Sequence, residues 1–324
     1  MLRCQWCGAE GAPEDFELDD KHNSGFWCPD CDGFTFYDEE DNNRRRMLLL
    51  LESKGSEQPI FKKGPRFHKR LSPLRYPGGK SKLVDFLFQY FHEEQLDSFV
   101  EVFAGGASVG LALLDASITK RLVLNDLDIG IYSLWKTITE QPEALQERLL
   151  GSFPTADTFY ACRDILDAPD RHSQEDLAWA ELICNRLSFS GISKANALGG
   201  RNGSQKALLS RWNPEALIKR IGRIHEMRSQ ITVIRMDAGR LIEEYAYWDE
   251  RATLFVDPPY VQKGEQLYRC FFTEEDHRNL AFLLESLYQG MPGADIVITY
   301  DDCPLIREIY SYAEVVPIGR AYSI

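Results

Sequence analysis

The sequence predicts an α/β fold in which a mostly parallel sheet carries helices on both faces. Short apolar runs rich in β-branched and aromatic residues occur at 99–103, 122–124, 231–235 and 254–256. Helical patterns separate these runs, and each run ends in a glycine turn or an acidic residue. This alternation predicts a Rossmann-like parallel sheet, which binds its ligands at the carboxyl ends of the strands.

The composition is that of a globular chain. The 324 residues are 44% hydrophobic and 27% charged, and no apolar run approaches the roughly 20 residues that span a bilayer. The opening residues, MLRCQWCGAE, lack the charged and apolar regions of a signal peptide. We therefore expect a cytoplasmic protein with reduced cysteines and no membrane contact.

The first 43 residues contain two C-x-x-C pairs, Cys4 with Cys7 and Cys28 with Cys31, separated by 20 residues. This spacing predicts a zinc-ribbon-like segment in which four thiolates bind one structural Zn²⁺. The alternatives are disulfides, disfavoured by the compartment, and a thioredoxin-like redox motif, disfavoured because no βαβ pattern surrounds the cysteines. Residues 1–43 carry a net charge of −10, which argues against DNA contact and favours a protein partner or a purely structural role.

Two basic segments stand out in a chain whose net charge is −13. Residues 44–82 carry +10 and residues 185–223 carry +7. The stretch 44–71, with RRR, KKGPR and HKR, is typical of a basic linker to a large domain at 72–324, and a short helix is compatible with 45–54. Local positive charge predicts contact with a polyanion, the alternative being solvated surface.

The first ligand-binding pattern lies at 74–114. LRYPGGKSKL contains a Pro-Gly-Gly turn followed by Lys80, and SFVEVFAGGASVGLALL joins a strand to a helix through Gly105 and Gly106. A strand, glycine turn and helix place a ligand against the N–H groups of a helix end. Because the glycines do not form G-x-G-x-x-G, a nucleoside-like cofactor other than a nicotinamide dinucleotide is favoured.

An acidic residue follows the second strand. RLVLND ends in Asp126, about 20 residues after the glycine turn, where doubly wound folds bind ribose hydroxyls. A helix N-cap is the alternative for Asp126, and the same role explains Asp128 better than ligand binding does. The third strand likewise leads to Asp237.

Residues 139–228 are predicted to form a helical insertion. Its segment 185–214 is polar, basic and rich in glycine, with Phe189 and Trp212 available for stacking. Long loops of this kind are usually functional or disordered. A second basic stretch, 219–228, is predicted to be helical.

The fourth strand ends in FVDPPY, residues 255–260. Prolines 258 and 259 have no N–H and a fixed φ, so the carbonyl groups here can be directed into a cleft. Asp257 and the Pro258 carbonyl can accept the two hydrogens of a planar amine while Tyr260 stacks on its ring. This set of groups suits the exocyclic amine of a nucleobase.

In the order RYPGGK, FAGGASVG, LND, NRLSFSG, MDA and DPPY, the chain from about Leu74 onward resembles the Dam-like family of DNA adenine methyltransferases. The resemblance implies S-adenosylmethionine as methyl donor and transfer to the N6 amino group of an adenine flipped from double-stranded DNA. It implies catalytic roles for Asp257, Pro258, Pro259 and Tyr260, and cofactor binding by Tyr76, Gly79, Lys80, Phe103, Gly105, Gly106, Asp126 and Asp237. The 185–223 segment matches the target-recognition region, with Arg186, Phe189, Lys194, Arg201, Lys206 and Arg211 as expected DNA contacts.

The sequence departs from the family pattern after the strand predicted at 314–317. Family members continue into a final antiparallel strand within the sheet, whereas this sequence ends at RAYSI. Three explanations are open: the strand is dispensable, a partner supplies it at the C-terminal sheet edge, or the chain is a truncated copy with impaired activity. RNA adenine methylation and non-catalytic DNA binding are the rival functions; glutamine methylation is disfavoured because Asn is usual at the position of Asp257.

Overall fold

The computed structural model describes residues 2–4, 9–18, 25–30, 34–36, 47–54, 67, 71–75, 79–92, 96–248, 251–261, 264, 269–290 and 294–320. Short antiparallel strands lie in the first 36 residues: β1 (Leu2–Arg3) pairs with β2 (Glu10–Gly11), and β4 (Gly25–Trp27) lies between β3 (Glu17–Leu18) and β5 (Phe34–Phe36).

Two of the four predicted zinc ligands can be placed in this N-terminal segment. Cys4 and Cys28 are each 1% exposed and pack with Phe16 and Phe26. Cys7 and Cys31 lie outside the described residues. Within the described ranges no group of three or more candidate ligands comes together, so the zinc site stays a prediction.

A parallel sheet of seven strands forms the centre of the large domain. Its strands are β6 (Met47–Lys54), β7 (Ser98–Glu101), β8 (Arg121–Asn125), β9 (Ile231–Ile234), β10 (Ala252–Val256), β11 (Asp295–Asp301) and β12 (Glu314–Arg320). The order is β12-β6-β11-β10-β7-β8-β9, and every neighbouring pair is parallel. The predicted α/β fold with a parallel sheet is confirmed.

Helices cover both faces of the sheet. The helices of the described residues are α1 (Val84–Leu87), α2 (Ser108–Asp115), α3 (Ile129–Glu140), α4 (Pro142–Leu150), α5 (Ala156–Asp167), α6 (Gln174–Leu187), α7 (Gln205–Leu208), α8 (Pro214–Glu226), α9 (Ala238–Trp248), α10 (Glu274–Gly290) and α11 (Pro304–Ile309). In the described part of the chain no helix has the length and apolar composition needed to cross a bilayer.

Side chains that alternate along each strand fill two separate cores. On β10, Phe255 packs into the core shared with α2, α3 and α8, whereas Leu254 and Val256 pack into the core shared with α9, α10 and α11. Because both faces are covered, all five residues of β10 are buried, which explains its continuous apolar sequence. Between β8 and β9, α5 and α6 form a smaller core around Phe159 and Ile183.

Strand β6 is the largest difference from the sequence-based expectation. Within the stretch 45–54, taken as part of a linker with a short helix, residues 47–54 form a strand that pairs with β11 on one side and β12 on the other. Leucine favours helices in isolation, but hydrogen bonding on both edges and burial on both faces override that propensity. Strand β6 therefore occupies the position between β11 and β12, for which sequence analysis found no strand. It comes from the segment that the sequence analysis placed before the large domain.

Candidate active site

A large cleft opens at the carboxyl ends of the central strands. It encloses about 1220 Å³, including space open to solvent at its mouth. Its walls come from the glycine turn after β7, the acidic end of β8, the loop after β9 and the DPPY segment after β10. Strand ends from four neighbouring βα units meet here, as expected for a parallel sheet.

The glycine turn after β7 forms the floor of the cleft. Gly105 adopts a φ of 43°, in the left-handed region that favours glycine, and Ala107 adopts a φ of 47°. The buried indole N–H of Trp135 donates to the Gly105 carbonyl at 3.0 Å, which fixes the turn from below. Phe103, Gly105 and Gly106 all line the cleft, where the sequence placed them. A non-glycine residue held in the left-handed region is a form of strain that concentrates at functional sites.

Asp126 lies at the end of β8 beside the glycine turn. One carboxylate oxygen accepts a hydrogen bond from the Gly105 N–H at 2.9 Å, and the other accepts from the Asp128 N–H at 3.0 Å. Burial, reinforced by the nearby charge of Asp128, raises the pKa of Asp126 to about 7. Asp126 thus joins the tips of β7 and β8 through its carboxylate, which faces the cleft.

Asp128 and Asp237 both begin helices. The Asp128 carboxylate accepts from the Gly130 and Ile131 N–H groups at 2.8 and 3.3 Å, which confirms the predicted N-cap of α3. The Asp237 carboxylate accepts from the Arg240 N–H at 3.2 Å, at the start of α9. Asp237 also lines the cleft, so its capping bond holds it beside the space that a ligand would occupy.

The DPPY segment forms part of the cleft wall. Lys80 Nζ donates to both oxygens of Asp257 at 2.6 Å and to the Tyr260 hydroxyl at 2.9 Å. The Thr299 hydroxyl, on β11, donates to Asp257 at 2.6 Å. Lys80 is therefore located at the DPPY carboxylate, although it also lines the cleft as predicted.

Burial acts on the carboxylates of this wall. It raises the pKa of Asp257 above its ordinary value, while Lys80 and Thr299 act in the opposite direction. Glu101, at the end of β7, is 3% exposed and its pKa is raised to about 8 by burial, although the Gly110 N–H donates to it at 2.6 Å. A cleft lined by several carboxylates that burial shifts is a site suited to proton-sensitive chemistry.

Several polar residues of the site were missed by sequence analysis. Glu101 lines the cleft, and the Asn125 side-chain amide donates to the carbonyls of Val102 and Met236 at 2.9 and 3.1 Å, tying three strand ends together. Arg269 also lines the cleft, pairing with Asp128 at 2.8 Å and with the buried Glu181 of α6. Glu101 could have been found from the sequence, because it is a charged residue inside an apolar strand pattern. No sequence pattern indicates the pairing of Arg269.

The basic insertion reaches the rim of the cleft. Gly191 and Ser193, which follow α6, line the cleft, and Phe189 beside them is 50% exposed. Lys194 is exposed and its Nζ lies 5.0 Å from the ring of Phe271, another residue of the cleft wall. Of the remaining expected DNA contacts, Arg201 and Lys206 are exposed and Arg211 is partly buried.

Two predicted site residues, Arg186 and Pro258, do not line the cleft. Arg186 is only 9% exposed and donates to the Arg211 carbonyl at 2.6 Å, so the structure gives it an internal contact instead of a DNA-facing position. Burial lowers the pKa of Arg186 to about 10. Pro258 is buried and does not contribute to the cleft wall. Tyr76 lies outside the described residues.

Known proteins share these features. A family model described as D12 class N6 adenine-specific DNA methyltransferase matches residues 76–324. The Retron Ec67 DNA adenine methylase of Escherichia coli is 25% identical over 240 residues, which cover 73% of this chain and 79% of that protein.

Two further relatives are much longer than this chain. The type II methyltransferase M.FokI of Planomicrobium okeanokoites is 24% identical over 202 residues, 59% of this chain and 29% of that protein. The modification methylase StsI of Streptococcus sanguinis is 34% identical over 71 residues, 22% of this chain and 10% of that protein. Because the family model covers most of the sequence, including every strand of the sheet except β6, the chain belongs to the D12 class N6 adenine-specific DNA methyltransferase family.

Proposed function

We propose that the chain transfers a methyl group from S-adenosylmethionine to the N6 amino group of adenine in double-stranded DNA. The observation that carries this proposal is the shared cleft: the glycine turn, Asp126 and the DPPY carboxylate face the same space. A donor on one side and an acceptor amine on the other would meet between these groups. Family membership supports the reaction type, and the cleft supports the residue roles.

The residues of the cofactor half fit a nucleoside with a charged tail. Asp126 would accept the ribose hydroxyls, since a carboxylate has lone pairs beyond the two internal hydrogen bonds that orient it. Gly105 and Gly106 would allow close approach of the tail, and Asp237 would lie at the adenine end. When bound, S-adenosylmethionine supplies a methyl group on a positively charged sulfur, so the protein needs alignment more than a strong base.

Asp257 would act on the adenine amine. Its carboxylate would accept an N–H hydrogen of the amine, which increases the electron density on nitrogen as it attacks. Formation of the N–C bond, with cleavage of the sulfur–methyl bond of the donor, would leave a surplus proton on the amino nitrogen, and Asp257 would accept this proton and pass it to solvent. Tyr260 would stack on the base and offset part of the few kcal/mol that base flipping costs.

The exposed basic residues at the rim would bind the DNA backbone. Lys194, Arg201 and Lys206 lie on the insertion that borders the cleft mouth, so phosphate contacts there would bring a flipped base toward Asp257. Phe189, half exposed beside Gly191, is positioned to contact bases. This arrangement makes affinity depend on salt, because each phosphate contact releases counterions.

The test compares Asp257→Ala with the parent chain. We expect methylation to fall by at least about 10²-fold, as for loss of one group that stabilises developing charge. Binding of S-adenosylmethionine, measured by calorimetry, should be retained because Asp126 and the glycine turn are untouched. Asp257→Asn, which keeps one acceptor oxygen, serves as the control for packing. Turnover at the parental rate in a folded Asp257→Ala protein would remove Asp257 from this role.

The zinc site is part of the proposal for the first 43 residues. Cys4, Cys7, Cys28 and Cys31 would bind one Zn²⁺, and the acidic surface around them would face a protein partner. Metal analysis should give one zinc per chain, and Cys4→Ser should lose it without loss of S-adenosylmethionine binding. A parent chain that is as stable without metal as with it would refute the zinc assignment.

A further inference from the structure

A second buried carboxylate approaches the lysine of the DPPY wall. Glu52 lies on β6, its side chain is fully buried, and its Oε1 is 3.5 Å from Lys80 Nζ. Strand β6 has the sequence MLLLLESK, so this carboxylate directly follows five apolar residues. Burying an ion in a sheet core costs several kcal/mol unless it is paired, as Glu52 is with Lys80.

The backbone of Glu52 is held on both sides. It pairs in register with Asp301 of β11 and Ile318 of β12. Its carbonyl also accepts a hydrogen bond from the Asp302 N–H at 3.0 Å. The position of the carboxylate is therefore set by the centre of the sheet and not by a mobile loop.

The Lys80 ammonium lies near two carboxylates and is closer to that of Asp257 than to that of Glu52. Its ammonium is 2.6 Å from both oxygens of Asp257 and 3.5 Å from Glu52. An ammonium committed to Asp257 alone would occupy both carboxylate oxygens, one of which the adenine amine requires. Glu52 offers the ammonium a second anion, within reach of a small movement of the flexible lysine side chain.

We propose that Glu52 is a positioning residue for methyl transfer, which shares the Lys80 ammonium with Asp257 and so keeps a carboxylate oxygen of Asp257 available to the adenine amine. The inference rests on the proposed function, because it assigns Glu52 a task in the same reaction. Nothing in the family resemblance points to it, since β6 precedes the residues that match the family model.

The charges around Asp257 give this role a measurable sign. Asp257 faces Lys80, Glu52 and Glu101, and the Tyr260 hydroxyl shares Lys80 with it. Burial is the main reason that the pKa of Asp257 is raised, Lys80 lowers it, and Glu52 raises it. Removing the charge of Glu52 should therefore lower the pKa of Asp257 and make it a weaker hydrogen-bond acceptor.

The kinetic test uses Glu52→Gln in the full chain. We expect kcat to fall by about tenfold, within the range for neighbours in one charge network, while KM for S-adenosylmethionine changes less than about twofold. The acid limb of the kcat profile should move to lower pH. Leu49→Val, on the same strand but in the other core, should leave both quantities unchanged per folded molecule. An unchanged kcat and acid limb in folded Glu52→Gln would overturn the inference, as would a limb that moves to higher pH.

Glu52→Asp extends the test, because it keeps the charge and withdraws it by one methylene. Its kcat should lie between those of the parent and Glu52→Gln, with a smaller limb shift of the same sign; this variant carries the test if the glutamine does not fold. A kcat for Glu52→Asp at or below that of Glu52→Gln would show that packing and not charge matters, and would reject the role.

A readout without methylation separates this inference from the proposed function. In protein labelled with ¹³C at the aspartate carboxyl carbons, the Asp257 signal is identified by its absence in Asp257→Asn. It should titrate at lower pH in Glu52→Gln than in the parent, whether or not the preparation methylates DNA. Identical titrations of Asp257 in Glu52→Gln and in the parent would refute the coupling. If the titration is shifted in Glu52→Gln but the parent chain does not methylate DNA, the coupling stands and the proposed function is refuted instead.

Discussion

Leu49 of β6 provides the sharpest test of the sheet. It is fully buried, and it packs with Leu254 and Ile298 in the core beneath α9 and α10. If 47–54 were a linker, shortening this side chain to alanine would change the free energy of unfolding very little. If β6 lies inside the sheet, the same change opens a cavity in a core that helices cover.

The magnitude follows from the burial. Leu49→Ala removes three buried carbon atoms, which contributes about 2.4 kcal/mol at roughly 0.8 kcal/mol for each buried group. The incompletely filled cavity adds to this loss, so we expect a total of about 3 kcal/mol, inside the range of about 2–5 kcal/mol for such changes.

Urea unfolding followed by tryptophan fluorescence measures the difference, since Trp135 is buried in the domain. Leu150→Ala is the matched control: Leu150 is 76% exposed, so the identical substitution should alter the free energy of unfolding by less than about 0.5 kcal/mol. Equal effects of the two substitutions would refute the placement of β6 in the sheet.

Three further predictions test the site. Binding of S-adenosylmethionine should strengthen as pH rises through about 7, the pKa to which burial raises Asp126, because only the ionised carboxylate keeps all its acceptor sites; calorimetry of Asp126→Asn should show little of this dependence. Gly191→Ala should destabilise the chain by more than Gly200→Ala: both glycines have a positive φ, 76° and 74°, but an added Cβ meets a carbonyl oxygen at 1.8 Å only at Gly191. Lys206→Gln should reduce the salt dependence of DNA binding by about one phosphate contact. Arg186→Gln should instead lower the free energy of unfolding, which urea titration would measure.

Much of the fold was predictable because the chain repeats one local pattern. Strands such as β10 are buried on both faces and therefore read as short apolar runs closed by proline, glycine or acid. Some of the helices between them begin at side chains that cap their N–H groups, as Asp128 does for α3. The site could be located for the same reason: Asp126, Asp237 and Asp257 follow strands directly, and parallel strands end at one edge.

The rest depends on contacts between distant parts of the chain. Strand β6 can be recognised only when its neighbours β11 and β12 are known, because a leucine run alone does not distinguish a strand from a helix. Arg186 was expected on the DNA surface from its charge, but α6 buries it, and no sequence period reports which side of a basic helix end faces inward. The pairing of Lys80 with Asp257 joins residues 177 apart in the chain, which spacing rules do not address.

Nucleoside mass spectrometry tests the proposed methyl transfer itself. DNA is incubated with the purified chain and isotopically labelled S-adenosylmethionine, digested to nucleosides, and compared with DNA treated with Asp257→Ala. The proposed reaction predicts labelled N6-methyl-2′-deoxyadenosine from the parent chain and at least about 10²-fold less from the variant. A folded parent chain that binds S-adenosylmethionine but leaves adenine unlabelled, in DNA of mixed sequence, would contradict it.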